Sequence, residues 1–438
     1  MPTVGMVSLG CAKNRVDGEL MLGRLKDKGY ELVSDPAQAE VILVNTCGFI
    51  EEAKQESIDA IFEMAEYKKD RCRALIVTGC LSQRYGKELL EQMPEADAFL
   101  GIGEIENIDQ AVEQALAGKR FLDNQRAYCY PEQEKRVLTT PGHYAYVKIA
   151  EGCSNRCAYC AIPYIRGPLL SRPMENIEQE VRQLCAAGVQ EINLVAQDTT
   201  RYGEDLYGKP QRPELLRRLS ALPETRWLRV LYCYPDNTSD ELLQLMHDDP
   251  KICSYIDIPL QHVHDKVLRE MNRRGDHALI DRLYHRIREL GGFALRTTMI
   301  AGFPGETEEE FRYLLDYVKT HPFDRLGAFA YSREEGTPAA ARKDQVPLRN
   351  RRGRANRLMR QQRPISRAFN QARVGSVVDV LVEEEEMGLY VGRSQWEAPE
   401  TDGRIYIELA ENLQPGQIVP VRLTKALDYD MMGVLAQP

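Results

Sequence analysis

Glu151-Gly152-Cys153-Ser154-Asn155-Arg156-Cys157-Ala158-Tyr159-Cys160 sets three cysteines in one short loop, spaced Cys-x-x-x-Cys-x-x-Cys. A fully ligated cubane iron–sulfur cluster takes four thiolates. Three from one loop leave an iron open, and an open position lets a metal site do chemistry instead of only holding a fold. The spacing is too tight for zinc pairs drawn from two helices, and no histidine in the loop completes a tetrahedral set. Zinc and three unrelated thiols are the alternatives that spacing alone leaves open.

Outward from this loop, residues 144–150 form a strand-like run that leads into it. Further strand candidates are 191–196, 227–232, 255–259, 294–300 and 326–331. Helical stretches at 174–187, 239–247, 278–290 and 308–320 separate most of them. Repeated βα units with right-handed crossovers predict a parallel barrel or partial barrel, which carries its reactive groups at the carboxyl ends of the strands. The cysteine loop follows the first strand, where this reading needs it. Met299-Ile300-Ala301-Gly302-Phe303-Pro304-Gly305-Glu306-Thr307 closes a later strand with a glycine-rich turn and opens a helix. Arg166-Gly167-Pro168 and Ser171-Arg172-Pro173 follow the loop. Their guanidinium forks suit a carboxylate-bearing ligand, and Ser171 with Pro173 equally suits a helix start. Gln197-Asp198-Thr199-Thr200 and Gln261, His262 and His264 lie just past strand ends. The histidines receive no catalytic role.

The first 120 residues also alternate strand and helix, with strands expected at 4–8, 41–45 and 74–78 and helices near 15–28, 51–67 and 84–92. One cysteine follows each strand: Cys11, Cys47 and Cys80. Loops beyond the carboxyl ends of parallel strands share one edge and form the binding crevice. Thiols placed this way converge despite separations of 36 and 33 residues. A second three-thiolate cluster is the favoured reading, with buried core cysteines as the alternative. Gly10, Gly48 and Gly79 beside them suit close backbone approach.

Residues 122–142 read as a linker, punctuated by Pro131 and Pro141. The domains expected are therefore 1–121, an α/β sheet, 143–372, a partial (β/α) barrel, and 373–438, a small antiparallel β-barrel of OB-like kind with strands near 377–382, 390–394, 405–409 and 418–423. From residue 374 onward there are 12 acidic and 4 basic residues, including the run Glu383-Glu384-Glu385-Glu386. Such a surface repels phosphates, and it fits a basic protein or forms a solvated edge. Residues 342–373 are the reverse, with 11 basic residues against Asp344 alone. That stretch either touches RNA or is a helix paired with acidic groups of its own chain.

Composition is that of a soluble protein, 43% hydrophobic and 28% charged. No apolar run spans a bilayer, and the amino terminus lacks signal-peptide regions, so a cytoplasmic location is expected. In a reducing compartment eleven cysteines are not a disulfide framework. Cys72, Cys129, Cys185, Cys233 and Cys253 lack paired spacing and read as structural.

The cysteine loop resembles that of the radical S-adenosylmethionine enzymes, and the whole chain resembles the methylthiotransferase family within them. That resemblance implies an amino-terminal methylthiotransferase domain, a radical domain and a C-terminal TRAM domain. It also implies two [4Fe–4S] clusters and S-adenosyl-L-methionine as cofactors. Residue by residue, Cys153, Cys157 and Cys160 would hold the radical-generating cluster, and Cys11, Cys47 and Cys80 the auxiliary one that delivers sulfur. Tyr159, Gly302 and Glu306 would help bind the cofactor, although Thr298 stands where the family motif has its first glycine. No catalytic residue beyond the cluster ligands is implied. Ser8-Leu9-Gly10-Cys11-Ala12-Lys13-Asn14, Gln197-Asp198-Thr199-Thr200 and Cys253-Ser254-Tyr255-Ile256-Asp257-Ile258-Pro259 look like the branch that modifies the β-carbon of an aspartate in a small-subunit ribosomal protein. The partners implied are that protein, free or on the ribosome, and an electron donor such as flavodoxin or ferredoxin. The transfer-RNA-modifying branch is the alternative.

Overall fold

A computed structural model of the chain describes residues 2–132, 135–408 and 412–436. It divides into two compact units, one of residues 1–139, 150–170 and 332–340, the other of 140–149, 171–331 and 341–438.

The first unit is built on strands β1 (Thr3–Ser8), β2 (Glu31–Leu32), β3 (Val41–Thr46), β4 (Ala74–Gly79), β5 (Ala98–Leu100) and β6 (Phe121–Asp123), all parallel, in the order β2-β1-β3-β4-β5-β6. Helices α1 (Ala12–Asp27), α2 (Glu51–Glu66), α3 (Cys80–Gln92) and α4 (Ile108–Leu116) make the crossovers. Every residue of β3 and β4 is buried, as expected of parallel strands covered on both faces. The three strands that precede cysteines, β1, β3 and β4, are neighbours in the sheet. Their carboxyl ends therefore share one stretch of edge. The connector packs on α1: Val137 donates its N–H to Glu19, and Thr139 and Arg136 hold the Glu19 carboxylate.

In the second unit, strand β7 (Tyr144–Lys148) starts a parallel series; the chain then supplies the cysteine-loop region to the first unit, with the two-residue strands β8 (Ala150–Glu151) and β9 (Leu170–Ser171, its second residue already in the second unit) and the one-turn helix α5 (Ile162–Ile165). The series continues through α6 (Met174–Ala186), β10 (Glu191–Val195), α7 (Glu204–Tyr207), α8 (Arg212–Ser220), β11 (Trp227–Val230), α9 (Asp240–Asp248), β12 (Tyr255–Asp257), α10 (Asp265–Glu270), α11 (His277–Leu290), β13 (Ala294–Ala301), α12 (Glu308–Thr320) and β14 (Arg325–Ala330). The ladders run β7-β10-β11 and β12-β13-β14, joined by a bridge between Leu228 and Ile252 and the bond from Cys233 N–H to Asp257 C=O. Sequential neighbours throughout make this an open partial barrel.

Residues 342–373 contain a 26-residue helix, α13 (Leu348–Arg373), as one of the two readings of this stretch had it. Much of its charge is met inside the unit. Arg354 and Arg357 reach Glu308, Arg363 and Arg367 reach Asp428, and Arg373 reaches Glu397.

The C-terminal strands β15 (Val377–Glu386), β16 (Leu389–Arg393), β17 (Ile405–Glu408), β18 (Ile418–Ala426) and β19 (Met431–Leu435) close a barrel in the order β15-β16-β17-β19-β18. Four of its strands were expected; Leu409, expected at the end of the third, lies outside the described residues. The fifth, β19, was not expected, and its pairing with β17 is parallel where the rest is antiparallel. Gly433 in β19 weakens the strand signal but is needed for packing, because a Cβ there would lie 2.4 Å from Val421 Cγ1.

This barrel is keyed into the amino-terminal ends of the parallel strands by residues 393–402. Arg393 pairs with Glu191, which pairs with Arg229; Glu397 pairs with Arg325 and Arg373; Asp402 accepts from Tyr255; and Glu400 accepts from Tyr144 and Tyr146. Tyr144, Glu191, Tyr255 and Arg325 are the first residues of β7, β10, β12 and β14. Part of the acidity expected to face a partner is thus spent inside the fold, and Glu383 joins it by holding Arg393 and His143. Glu384, Glu385 and Glu386 are exposed.

Candidate iron–sulfur and cofactor site

Cys11 caps the amino end of α1, Cys47 follows β3 directly, and Cys80 is the first residue of α3 after β4. Two glycines record how closely these turns approach. A Cβ on Gly10, at φ +87°, would lie 2.8 Å from Cys47 Cβ, and one on Gly48 would lie 2.8 Å from Cys80 O. Ser57 braces the middle cysteine, its hydroxyl accepting from Cys47 N–H and lying 3.0 Å from Cys47 O. Asn14 ties the first loop to β3 by donating to Leu9 O at 2.9 Å and Thr46 O at 3.2 Å.

The thiols feel one another. Burial, then the neighbouring Cys80 and Cys11, pushes the Cys47 thiol up to about 12. Burial also raises Cys80, against the pull of Arg166. Burial opposes ionisation of Cys11 as well, but Lys13, Arg166 and the amides of Asn14 and Lys13 leave it lowered. Crowded thiols that raise each other's pKa are poor neighbours as free thiols and good ones as metal thiolates, since a bound cation removes the repulsion.

Arg166 stands at this point, 1% exposed at its side chain. Its Nε donates to Cys80 Sγ at 3.2 Å, Nη1 to Asp17 at 3.0 Å and Glu151 at 2.8 Å, and Nη2 to Asn14 at 3.1 Å. The expectation that Arg166 meets a cofactor carboxylate is therefore corrected: its fork is filled by two carboxylates of its own chain. Arg172 is likewise taken, by Lys148 O and Glu180, each at 2.7 Å. Ser171 does not cap α6 but donates to Asp205 at 2.6 Å.

The residue after Arg166 closes the other cysteine set, Gly167 O accepting from Cys153 N–H at 3.0 Å. Within that loop Cys160 N–H donates to Cys157 O at 3.0 Å, and Ala158 O accepts from Ala339 N–H. Gly152, at φ +68°, admits the backbone of Pro168 so closely that a Cβ would lie 2.0 Å from its oxygen. Cys157 is buried, while Cys153, Cys160 and Tyr159 are half-buried. Both cysteine trios thus belong to one compact unit, linked through residues 166 and 167. Each trio can hold a cluster and leave an iron for another ligand.

Gly302 and Glu306 belong to the second unit. Gly302 has φ +77°. Glu306 turns its carboxylate back on its own loop, accepting from the amides of Gly302 and of Phe303, the latter at 3.0 Å, with Arg354 3.3 Å away. Burial pushes its pKa up to about 7. The carboxylate thus shapes the glycine turn, and a Cβ on Gly302 would lie 2.5 Å from Arg351 Cγ. Burial drives His262 down to about 3, a neutral ring whose Nδ1 accepts from His264 N–H. The contribution of Asp17 and Glu151 was missed from sequence; the only hint was carboxylates flanking each cysteine loop.

Three family models match the chain: Uncharacterized protein family UPF0004 over residues 3–101, Radical SAM superfamily over 147–318, and TRAM domain over 374–435. Across all of its length and all of the relative's, the chain is 50% identical to the ribosomal protein uS12 methylthiotransferase RimO of Desulforamulus reducens. The chain belongs to the RimO family. The RimO of Desulfitobacterium hafniense is 48% identical over 99% of this chain and 98% of that protein. This RimO-family chain is accordingly a radical S-adenosylmethionine enzyme, with that molecule and [4Fe–4S] clusters as cofactors. Solved structures show the fold: the radical S-adenosylmethionine methyltransferase TsrM of Kitasatospora setae superposes with a TM-score of 0.57 at 16% identity, over 77% of each chain. The cobalamin-dependent radical enzyme OxsB gives 0.51 at 13% identity, over 82% of this chain and 56% of that one.

Proposed function

We propose that this chain inserts a methylthio group at the β-carbon of an aspartate in ribosomal protein uS12. The observation that carries the reading is the pair of cysteine trios in one unit, joined by Arg166 and Gly167. Cys153, Cys157 and Cys160 would hold the radical-generating cluster, and Cys11, Cys47 and Cys80 the auxiliary one. When bound, the first cluster with S-adenosylmethionine supplies hydrogen abstraction and the second supplies sulfur. The chain's own residues position these groups. Ser57 and Asn14 fix the thiol-bearing turns, and Arg166 offsets thiolate charge next to Cys80; Tyr159 in the first unit and, separately, the turn shaped by Glu306 in the second are the candidate supports for the cofactor.

The exposed Glu384, Glu385 and Glu386, only partly offset by Arg404, favour a basic ribosomal protein over a phosphate backbone. No described helix is long and apolar enough to cross a membrane. The setting that suits this reading is the cytoplasm, with flavodoxin or ferredoxin as reductant. The test is mass spectrometry after anaerobic reconstitution, reduction and incubation with S-adenosylmethionine, sulfide and either uS12 or transfer RNA. A methylthio gain on an aspartate of uS12, with RNA unchanged, is expected. A gain on adenosine alone would overturn the reading.

A further inference from the structure

Far along the chain from either cysteine trio, α11 and the end of α12 bring together Asp281, His285 and His321. Among the described residues these are the group whose ligand atoms, one oxygen and two ring nitrogens, lie within 4.8 Å of one another. Asp281 and His285 stand one helical turn apart on α11, with Asp281 Oδ1 3.6 Å from His285 Nε2. The same Oδ1 is 3.0 Å from His321 Nε2. Ligands around a tetrahedral zinc at ordinary bond lengths are about 3.3 Å apart, so the two separations bracket the spacing a metal requires.

His321 is held for this purpose by groups that do not touch the cluster of ligand atoms. It follows α12 directly, and its ring stacks on Tyr317 at 4.1 Å and 9° and meets Tyr284 edge-on at 5.0 Å. The loop that carries it is pinned to α11, Pro322 O accepting from Tyr284 Oη at 3.2 Å and from Arg288 at 2.6 Å. Thr320 Oγ1 lies 3.0 Å from His321 Nδ1, and that hydroxyl also donates toward the carbonyls of Asp316 and Tyr317. When its one hydrogen goes to a carbonyl, Oγ1 accepts from Nδ1–H. In that tautomer His321 Nε2 offers a lone pair on the Asp281 side, as a metal ligand does, whereas a protonated ring would donate Nε2–H to the carboxylate. A second-ring-nitrogen hydrogen bond of this kind is also what orients metal-bound histidines.

We propose that Asp281, His285 and His321 bind a divalent transition metal of the zinc class, with solvent completing the coordination. Two imidazoles and one carboxylate suit zinc better than calcium or magnesium, which take oxygen ligands. The site ties α11 to the C-terminal end of α12 on the outer layer of the partial barrel. It is independent of the iron–sulfur chemistry. The rival is a plain ion pair between a protonated His321 and Asp281, which needs nothing from His285.

Zinc is the probe, and the reconstituted, iron-loaded enzyme is the material. Equilibrium dialysis against micromolar zinc, read by elemental mass spectrometry, compares wild type with His285→Ala. His285 is 64% exposed at its side chain, so this variant keeps the fold, checked by unchanged iron content. Wild type is expected to retain one more zinc per chain than the variant, and X-ray absorption of that zinc is expected to show nitrogen and oxygen neighbours without sulfur. Equal zinc in both proteins, or sulfur in the coordination shell, overturns the proposal.

Discussion

Arg166 Nε lies 3.2 Å from Cys80 Sγ, while the peptide bond after Arg166 leads to the carbonyl that accepts from Cys153 N–H at 3.0 Å. One residue therefore sets the electrostatics of one cysteine trio and the geometry of the other. Arg166→Leu is expected to lose the auxiliary cluster first, because Cys80 loses the cation that favours its thiolate. Iron per chain should fall by about four, the complement of one cubane. Arg166→Lys should not restore it, since an ammonium cannot serve Cys80, Asp17, Glu151 and Asn14 together as a planar fork does. Iron and sulfide analysis decides; full iron in Arg166→Leu would show that the contact is incidental.

The two trios are expected to fail differently. Cys153→Ala should abolish reductive cleavage of S-adenosylmethionine, measured as 5′-deoxyadenosine by chromatography. Cys47→Ala should keep cleavage and lose methylthio transfer to uS12. Equal cleavage by wild type and Cys153→Ala would sink the assignment of the radical cluster.

Gly10→Ala tests the convergence of the thiol-bearing turns. At φ +87° with a Cβ 2.8 Å from Cys47 Cβ, the substitution must push the two turns apart. Auxiliary-cluster iron should be lost. Gly118→Ala has a similar φ of +79° but open space around its Cβ, and it should cost only about 1 kcal/mol with iron retained. Identical iron in both variants would contradict the packing described.

Acid should loosen the attachment of the C-terminal barrel. Burial opposes the charge on Glu397, but Arg373 and Arg325 hold it at about 2, against an ordinary 4.5. Burial also opposes Glu383, which His143 and Arg393 bring to about 2. A depressed carboxyl stabilises the fold above its unfolded pKa, and the contribution fades as pH falls from about 4.5 toward about 2. Each shift corresponds to at most roughly 3 kcal/mol. Glu397→Gln should flatten this slope in denaturant titrations, and at neutral pH it should cost about 3–5 kcal/mol by stranding two buried arginines. An unchanged slope would remove Glu397 from the account.

The chemistry-bearing parts of this chain were legible because they are local. Cys153, Cys157 and Cys160 announce themselves by spacing, and Cys11, Cys47 and Cys80 by their shared place after strands. What the sequence did not disclose depends on partners far along the chain. Arg166 read as a cofactor ligand because Asp17, 149 residues away, could not be seen to claim it. Helix α13 is too polar and arginine-rich to show a clear apolar stripe, and its ion pairs with Glu308, Asp428 and Glu397 appear only in three dimensions. The acidic count of the last 65 residues mixed the exposed run at 384–386 with Glu397, buried between two arginines, and with Glu400, which accepts from Tyr144 and Tyr146.

Residues 393–402 also bear on how such a protein can change over generations. Because that segment ends the cores of four parallel strands, the C-terminal barrel is not a cassette. A graft lacking Arg393 and Glu397 would leave Glu191 and Arg325 without the partners they have here. Exchange of the whole barrel therefore has to come with matched changes at the first residues of the strands it is keyed into.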